Sequence, residues 1–277
     1  MYARASAPVA KLGACLLLIT RCTQPWNNFL QIYTQHIYRR KLQSRNTRGF
    51  PDESEKTNKE NSCLEKILNE EEISLAEANS NGQLLRFASG KIYSIKDQKY
   101  GENVNRMCEL MFEGKSSSMS LNNKRLGDID IEILTKYIKM IDLSLPLLET
   151  NLLDALSCLN GSKGIRHSLY LTYLCGLAEK IKKLEAGYDS EIHNDSVQGL
   201  NEDDMLAIKV IQSLATSPKI LIIEMRNVIF GKEFVTYIEK ILEAVSGKVT
   251  ILINTNGGVI DKKTDEVINI MSEGNRR

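Results

Sequence analysis

Residues 203–253 read DDMLAIKVIQSLATSPKILIIEMRNVIFGKEFVTYIEKILEAVSGKVTILI, and this stretch decides the fold. Asp203 to Ala215 carries helical periodicity and Pro218 stops it. Lys219 to Ile223 (KILII) follows as a strand with no polar face. Phe234, Ile238, Ile241, Leu242 and Val245 then recur at helical spacing, and Gly247 closes that helix as its C-terminal cap. Val249 to Ile253 is a second apolar strand, and Val267 to Met271 a further one. Apolar strands joined by helices predict a parallel sheet covered on both faces, an α/β class.

Upstream, the same alternation continues. Lys91 to Ile95 (KIYSI) reads as a strand, and Asn103 to Phe112 as a helix with Met107, Leu110 and Met111 inward. Ser118 to Leu121 is a strand ending at the turn pair Asn122–Asn123. The helix Ile129 to Tyr137 leads into the strand Ile138 to Ile141. A helical region spans Asn151 to Leu184, interrupted at Asn160–Gly161. Phe50 to Glu72 is polar and charged, a linker with a short helix around Leu64 to Leu68.

The net charge of +1 conceals an asymmetry. Met1 to Pro51 holds eight Lys or Arg and no acid, which leaves the remainder at −7. Within the basic part, Leu12 to Thr20 (LGACLLLIT) is apolar but far short of the roughly twenty residues a membrane helix needs. Trp26, Leu30, Tyr33 and Ile37 then share a helical face ahead of Arg39, Arg40 and Lys41. No small-residue cleavage site follows the apolar run, which disfavours a secretory signal. An organellar presequence and the tail of a transmembrane helix both fit, and the residues alone leave both open. The six cysteines have no CxxC spacing, so zinc and iron–sulfur sites are not indicated. His36, His167 and His193 have no acid or cysteine partner at ligand spacing, and Lys180, Lys182 and Lys183 read as a solvated helix face rather than a nucleic-acid patch.

Several phrases, in order, resemble the ATP-binding cassette of ABC exporters, and within them the mitochondrial half-transporters linked to iron–sulfur protein maturation. Phe87 to Ile95 (FASGKIYSI) resembles the strand before the phosphate loop. Met119 to Ile138 (MSLNNKRLGDIDIEILTKYI) is similar to the family's I-x-I-D-G-x-D-I-x-D-V-x-x-x-x-L-R-x-x-I. Leu147–Leu148 with Asn151 to Leu156 stands where the family has L-F-x-x-T-I-x-x-N-I, and Leu184 to Ser190 (LEAGYDS) resembles L-P-x-G-Y-D-T. Ala207 to Ile223 follows the rhythm of A-I-A-R-A-L-x-x-x-P-x-I-L-L-L, and Asp265 to Gly274 resembles D-x-I-x-V-x-x-x-G. Pro25 to Arg40 is similar to the end of the last membrane helix. The resemblance implies a P-loop NTPase-like parallel sheet over residues 83–277, with an ABC helical subdomain at about 151–200. It places a polar linker at 47–82 and a basic helical segment at 1–46, a membrane-helix remnant or a presequence.

The family's phosphate loop, G-x-x-G-x-G-K-S/T, binds phosphates through backbone N–H groups, its lysine, and a hydroxyl on magnesium. Its counterpart here is Asp97, Gln98, Lys99, Tyr100, Gly101, Glu102, Asn103 and Val104. Asp97, Tyr100 and Glu102 stand at the glycines, Asn103 at the lysine and Val104 at the hydroxyl. The L-S-G-G-Q signature corresponds to Leu200, Asn201, Glu202, Asp203 and Asp204. Three acids at a helix start favour that helix by ~0.3–1 kcal/mol each, and repel a triphosphate. The family's Asp-Glu pair after the catalytic strand becomes Glu224 and Met225, of which Glu224 alone could hold a metal cation. The loop glutamine falls at Leu143, the switch histidine at Thr255 or Asn256, and a further aspartate at Gly231. No aromatic residue lies between Phe50 and Phe87 to stack on adenine.

By resemblance, then, the function is ATP-coupled transmembrane export, with ATP and Mg as cofactors and binding and hydrolysis impaired. The implied partner is a second ABC half-transporter or cassette, in a homo- or heterodimer, with membrane contact through the N-terminal segment and no nucleic acid. The implied location is a membrane, in a mitochondrion or mitochondrion-derived organelle. Two other functions compete. An active, divergent ABC ATPase predicts magnesium-dependent hydrolysis lost in Glu224→Ala. An organelle-targeted soluble interaction protein predicts a mature N-terminus near residue 45.

Overall fold

The computed structural model describes residues 62–77, 85–97, 119–157, 161–255 and 260–270. The basic segment 1–46, the phosphate-loop counterparts Gln98 to Val104, the helix expected at Asn103 to Phe112, and Asn256 lie outside the described residues.

The chain enters through helix α1 (62–68) and strand β1 (Glu72–Glu77), followed by β2 (Leu85–Ala88) and β3 (Ile92–Asp97). Next come β4 (Met119–Leu121), β5 (Lys124–Arg125), helix α2 (Ile131–Tyr137) and β6 (Ile138–Asp142). The helices α3 (Leu152–Ser157), α4 (Gly161–Cys175) and α5 (Leu177–Ile181) follow. The last part alternates: α6 (Glu202–Leu214), β7 (Ile220–Glu224), α7 (Lys232–Val245), β8 (Thr250–Asn254) and β9 (Glu266–Ile270).

Two sheets result. One is antiparallel, in the order β2-β1-β4-β5, and the other is parallel, in the order β6-β7-β8-β3-β9. The pleat of the parallel strands feeds two cores, because successive side chains point to opposite faces. Leu221 and Ile223 of β7, with Ile251 and Ile253 of β8, join a core shared with α3 to α7. Ile220, Ile222 and Leu252 face the other way, into a core with α1, α2 and the antiparallel sheet. That double burial is why these runs carry no polar face. Asp130 caps α2, its carboxylate accepting the Glu132 N–H at 2.8 Å. The hairpin turn Asn122–Asn123 has φ of +44° and +66°, conformations that asparagine tolerates better than most residues.

Inside the range 47–82 read as a polar linker, the short helix expected around Leu64 to Leu68 is α1, but the same range also holds strand β1, which the reading does not include. Strand β1 sits between β2 and β4, with Ile73 and Leu75 0% and 1% exposed. A period-two signal was present in EISL, but it is short and the flanking acids mask it in any composition average. The helical region expected as Asn151 to Leu184 divides once more than anticipated, at Gly176, which adopts φ +90° between α4 and α5.

Gly90 ties the start of β3 to the end of α7. Its φ is +77°, and an added Cβ would lie 2.9 Å from the Cα and carbonyl carbon of Gly247. Its carbonyl accepts the Gly247 N–H at 2.9 Å, and its own N–H reaches Thr250 Oγ1 at 2.9 Å. Gly90→Ala should therefore cost about 2 kcal/mol, of which left-handed backbone strain alone supplies roughly 1–2. A thermal melt should show a fall of about 4–8 °C, and an unchanged melting temperature would remove this account of the contact.

Candidate functional site

In open α/β sheets, ligands bind outside the carboxyl ends of the strands. Here the register lines up Asp142, Glu224, Asn254 and Ile95 across β6, β7, β8 and β3 at that edge. Asp97, the last residue of β3, pairs with Ile270, so β3 also ends at this edge. Helix α6 runs toward the opposite end and β7 returns, which brings the start of α6 and the start of α7 to this edge as well.

At the end of β7, Glu224 is 4% exposed, and both its carboxylate oxygens are engaged. Oε1 accepts from the Arg226 backbone N–H at 3.0 Å and from Arg226 Nε at 2.9 Å. Oε2 accepts from Arg226 Nη2 at 2.8 Å and from Asn254 Nδ2 at 2.5 Å. The guanidinium thus lies side-on to the carboxylate, the strong two-pronged arrangement that arginine makes and lysine does not. Asn254 is fully buried, and its Oδ1 has no hydrogen-bond partner among the described residues.

The neighbouring predicted positions are apolar or engaged in backbone pairing. Met225 is 3% exposed, and its N–H donates to the Asn254 carbonyl at 3.0 Å. Thr255 is buried, its N–H 3.5 Å from the Ile95 carbonyl. Leu143 is buried under the edge, where its carbonyl accepts from Lys209 Nζ at 3.2 Å. Lys209, itself 4% exposed, is neutralised by Asp195 at 2.6 Å.

The start of α6 holds the other predicted group, of which Asn201, Asp203 and Asp204 are bonded within the chain. Asn201 caps the helix: its Oδ1 accepts the Asp204 N–H at 2.9 Å, and Asp204 Oδ2 accepts the Asn201 N–H at 3.0 Å. This reciprocal box satisfies two of the N–H donors at the helix start. Asp203 reaches across to α7, where it accepts from Gly231 N at 2.6 Å and Phe234 N at 3.1 Å. Asp204, 1% exposed, accepts at Oδ1 from Lys180 Nζ and Tyr237 Oη, both at 2.8 Å. Lys180 also holds Glu233 at 2.7 Å, and Glu233 accepts from Asn201 Nδ2 at 2.8 Å. Leu200 is half-buried against the helical core and Glu202 is exposed. A shallow open depression of about 480 Å³ lies beside this group, lined by Lys180, Lys183, Leu184, Gly199, Leu200, Asn201 and Asp204.

Electrostatics follow from this geometry. Burial would lower Lys180, but its bonds to Asp204, Glu233 and Tyr237 outweigh it and hold the ammonium above the ordinary lysine range. Burial, together with the bond to Asp204, pushes the Tyr237 hydroxyl up to about 12. Lys180 and then Asn201 hold the Glu233 carboxyl below its usual value.

Lys180, expected on a solvated helix face, is instead the hub that joins α5, α6 and α7. Arg226, Asn254 and Tyr237 were not singled out at all. An arginine two residues after the only acid of a buried strand is a signal for Arg226. Nothing local marks Asn254 or Tyr237, whose partners lie 30 and 33 residues away. His167 and His193 stay apart, and among the described residues no three His, Cys, Asp or Glu side chains cluster as metal ligands.

These features define a mixed α/β protein with a five-stranded parallel sheet, an antiparallel sheet and a group of helices between β6 and β7. No protein-family model and no curated protein matches the sequence. Among solved structures, the chain is similar to a bacterial Atm1-family ABC exporter with ATP bound. The TM-score is 0.55 at 12% identity, over 73% of this chain and 37% of the exporter's. The likeness is one of fold, and the chain spans well under half of the exporter's length. Among the described residues, no helix is long and apolar enough to cross a membrane.

Proposed function

We propose that this chain is an ABC-exporter nucleotide-binding domain of half-transporter type that neither binds nor hydrolyses ATP, and that serves a second cassette as a structural or regulatory partner. The observation that carries the reading is the state of Glu224. In the family's arrangement an acid at the end of this strand holds magnesium; here both oxygens are bonded to Arg226 and Asn254, and the charge is already neutralised. Met225, where a base for water would stand, is an apolar side chain without a proton acceptor strong enough for that task. At the start of α6 the Asn201 and Asp204 N–H groups are bonded to each other's side chains, and Glu202 and Asp203 add two further acids where a γ-phosphate would come. ATP and Mg therefore do not fit these residues, and no catalytic step is assigned to them.

The fold shared with an ATP-bound exporter supports docking on a second cassette, in a homo- or heterodimer. Membrane association through residues 1–46, in a mitochondrion or derived organelle, belongs to the same proposal.

The test is a titration of labelled ATP against the full chain, with and without magnesium. No saturable binding is expected into the millimolar range. Saturable MgATP binding there, or hydrolysis that disappears in Glu224→Ala, would replace this reading with that of a divergent active ATPase.

A further inference from the structure

We propose that Arg226 is a tethered cation standing in the place of a divalent metal, closing the end of β7 to metal ions. The inference deepens the reading above and rests on it only for the identity of the position. Its test uses Mn²⁺ without nucleotide, so the two can fail separately.

The argument starts from the cost of a buried carboxylate. Glu224 is 4% exposed at the end of β7, an inner strand of the parallel sheet, and an ionised acid there needs a counter-charge. In a metal-binding site that charge arrives from solution, and the apo protein bears the penalty. Here it is covalently present two residues along the chain, on a side chain itself 8% exposed. The Arg226 backbone N–H at 3.0 Å and the side-on guanidinium at 2.8–2.9 Å together occupy both oxygens. A magnesium or manganese ion needs one of those oxygens with near-octahedral room around it. To gain it, the ion must displace a buried arginine from the carboxylate.

The surroundings are consistent with a metal position that has been closed rather than erased. Hard oxygen donors remain: the Glu224 carboxylate and, beside it, the fully buried amide of Asn254, whose Nδ2 serves Glu224 while its Oδ1 lacks a partner among the described residues. Rotation of that amide exchanges its oxygen and nitrogen within the same volume. With Arg226 gone, Glu224 and Asn254 together would offer oxygens to a divalent ion. As built, the Glu224 carboxylate already has its counter-charge in Arg226 with no ligand present.

The experiment compares the full chain, Arg226→Ala, and Arg226→Ala combined with Glu224→Gln. Binding is read from the electron paramagnetic resonance signal of free Mn²⁺, and stability from thermal melting with and without millimolar MnCl₂. The wild-type chain should bind no Mn²⁺, and its melting temperature should not move. Arg226→Ala should melt about 10 °C lower, bind one Mn²⁺, and recover at least half of the loss when the ion is added. The double variant should recover stability without metal and bind none. If the alanine variant does not fold, Arg226→Gln, which keeps a donor and most of the length, carries the same expectations. Mn²⁺ uptake by the wild-type chain, or none by a folded Arg226 variant, overturns the proposal.

Discussion

Asp204→Ala should lower the melting temperature of the full chain by roughly 6–12 °C, the largest loss expected from any single substitution at the start of α6. The carboxylate is 1% exposed, and three donors depend on it: the Asn201 N–H, Lys180 Nζ and Tyr237 Oη. Its removal strands donors from three helices at once, and breaking a buried pair by deleting one partner costs about 3 kcal/mol or more. Lys180 is a third exposed, so water relieves part of its loss, which sets the estimate at the low end of that range. The sign of the pH dependence is fixed by the neighbours. Glu233 is held below its usual value, so its contribution is present above about pH 4.5 and lost as pH falls further. Lys180 is held above its own, so its contribution is complete below about pH 10.5 and lost as pH rises past it. The deficit of Asp204→Ala should therefore be flat between about pH 5 and pH 9. Melting curves across that range check it. A variant that melts within a degree or two of the wild type would mean the hub contributes nothing. Should α6 then also bind a phosphate-bearing ligand, the assignment of these acids to structure would be lost with it.

A chain beginning at Gln83, the boundary that the sequence alone recommends for the domain, should not fold. It lacks α1 and β1. Leu64, Leu68, Ile73 and Leu75 are each no more than 1% exposed, and burial of such side chains stabilises by about 1.5–3 kcal/mol apiece. The sum, roughly 6–12 kcal/mol, matches the whole stability of an ordinary domain. The cut also removes the strand between β2 and β4 and leaves both with unpaired backbone edges. Expression of the two lengths decides it: the shorter chain should be insoluble or show no cooperative melt, while one beginning at Ser54 keeps both elements and the transition. A soluble Gln83 chain with a sharp melt would show that β1 is an ornament on the sheet.

The contrast between β1 and β7 explains what could be read in advance. Ile220 to Ile223 has one solution, since four consecutive apolar residues must bury both faces of a strand. Ile73 and Leu75 alternate with Glu72 and Ser74 over four residues only, too short a pattern to stand out from the acids before it. The candidate site divides the same way. That Glu224 ends a buried strand, that Met225 cannot act as a base, and that Asn201 to Asp204 begin a helix were all legible, because each follows from local type and spacing. What each acid does was not. Asp203 bonds backbone groups 28 and 31 residues away, and Lys180 meets Asp204 from a different helix.

By itself, then, the sequence determined the αβ alternation, the two-faced strands of the parallel sheet and the acid-rich start of α6, since periodicity and the helix dipole act over one or two turns of chain. The tertiary structure decided the rest. It inserted β3 between β8 and β9, more than 150 residues later in the chain, and it turned Arg226 back onto Glu224 and Asp203 across to α7. Pairings of that kind are set by which surfaces meet once the two cores have closed, and a side chain's partner is chosen by distance in space.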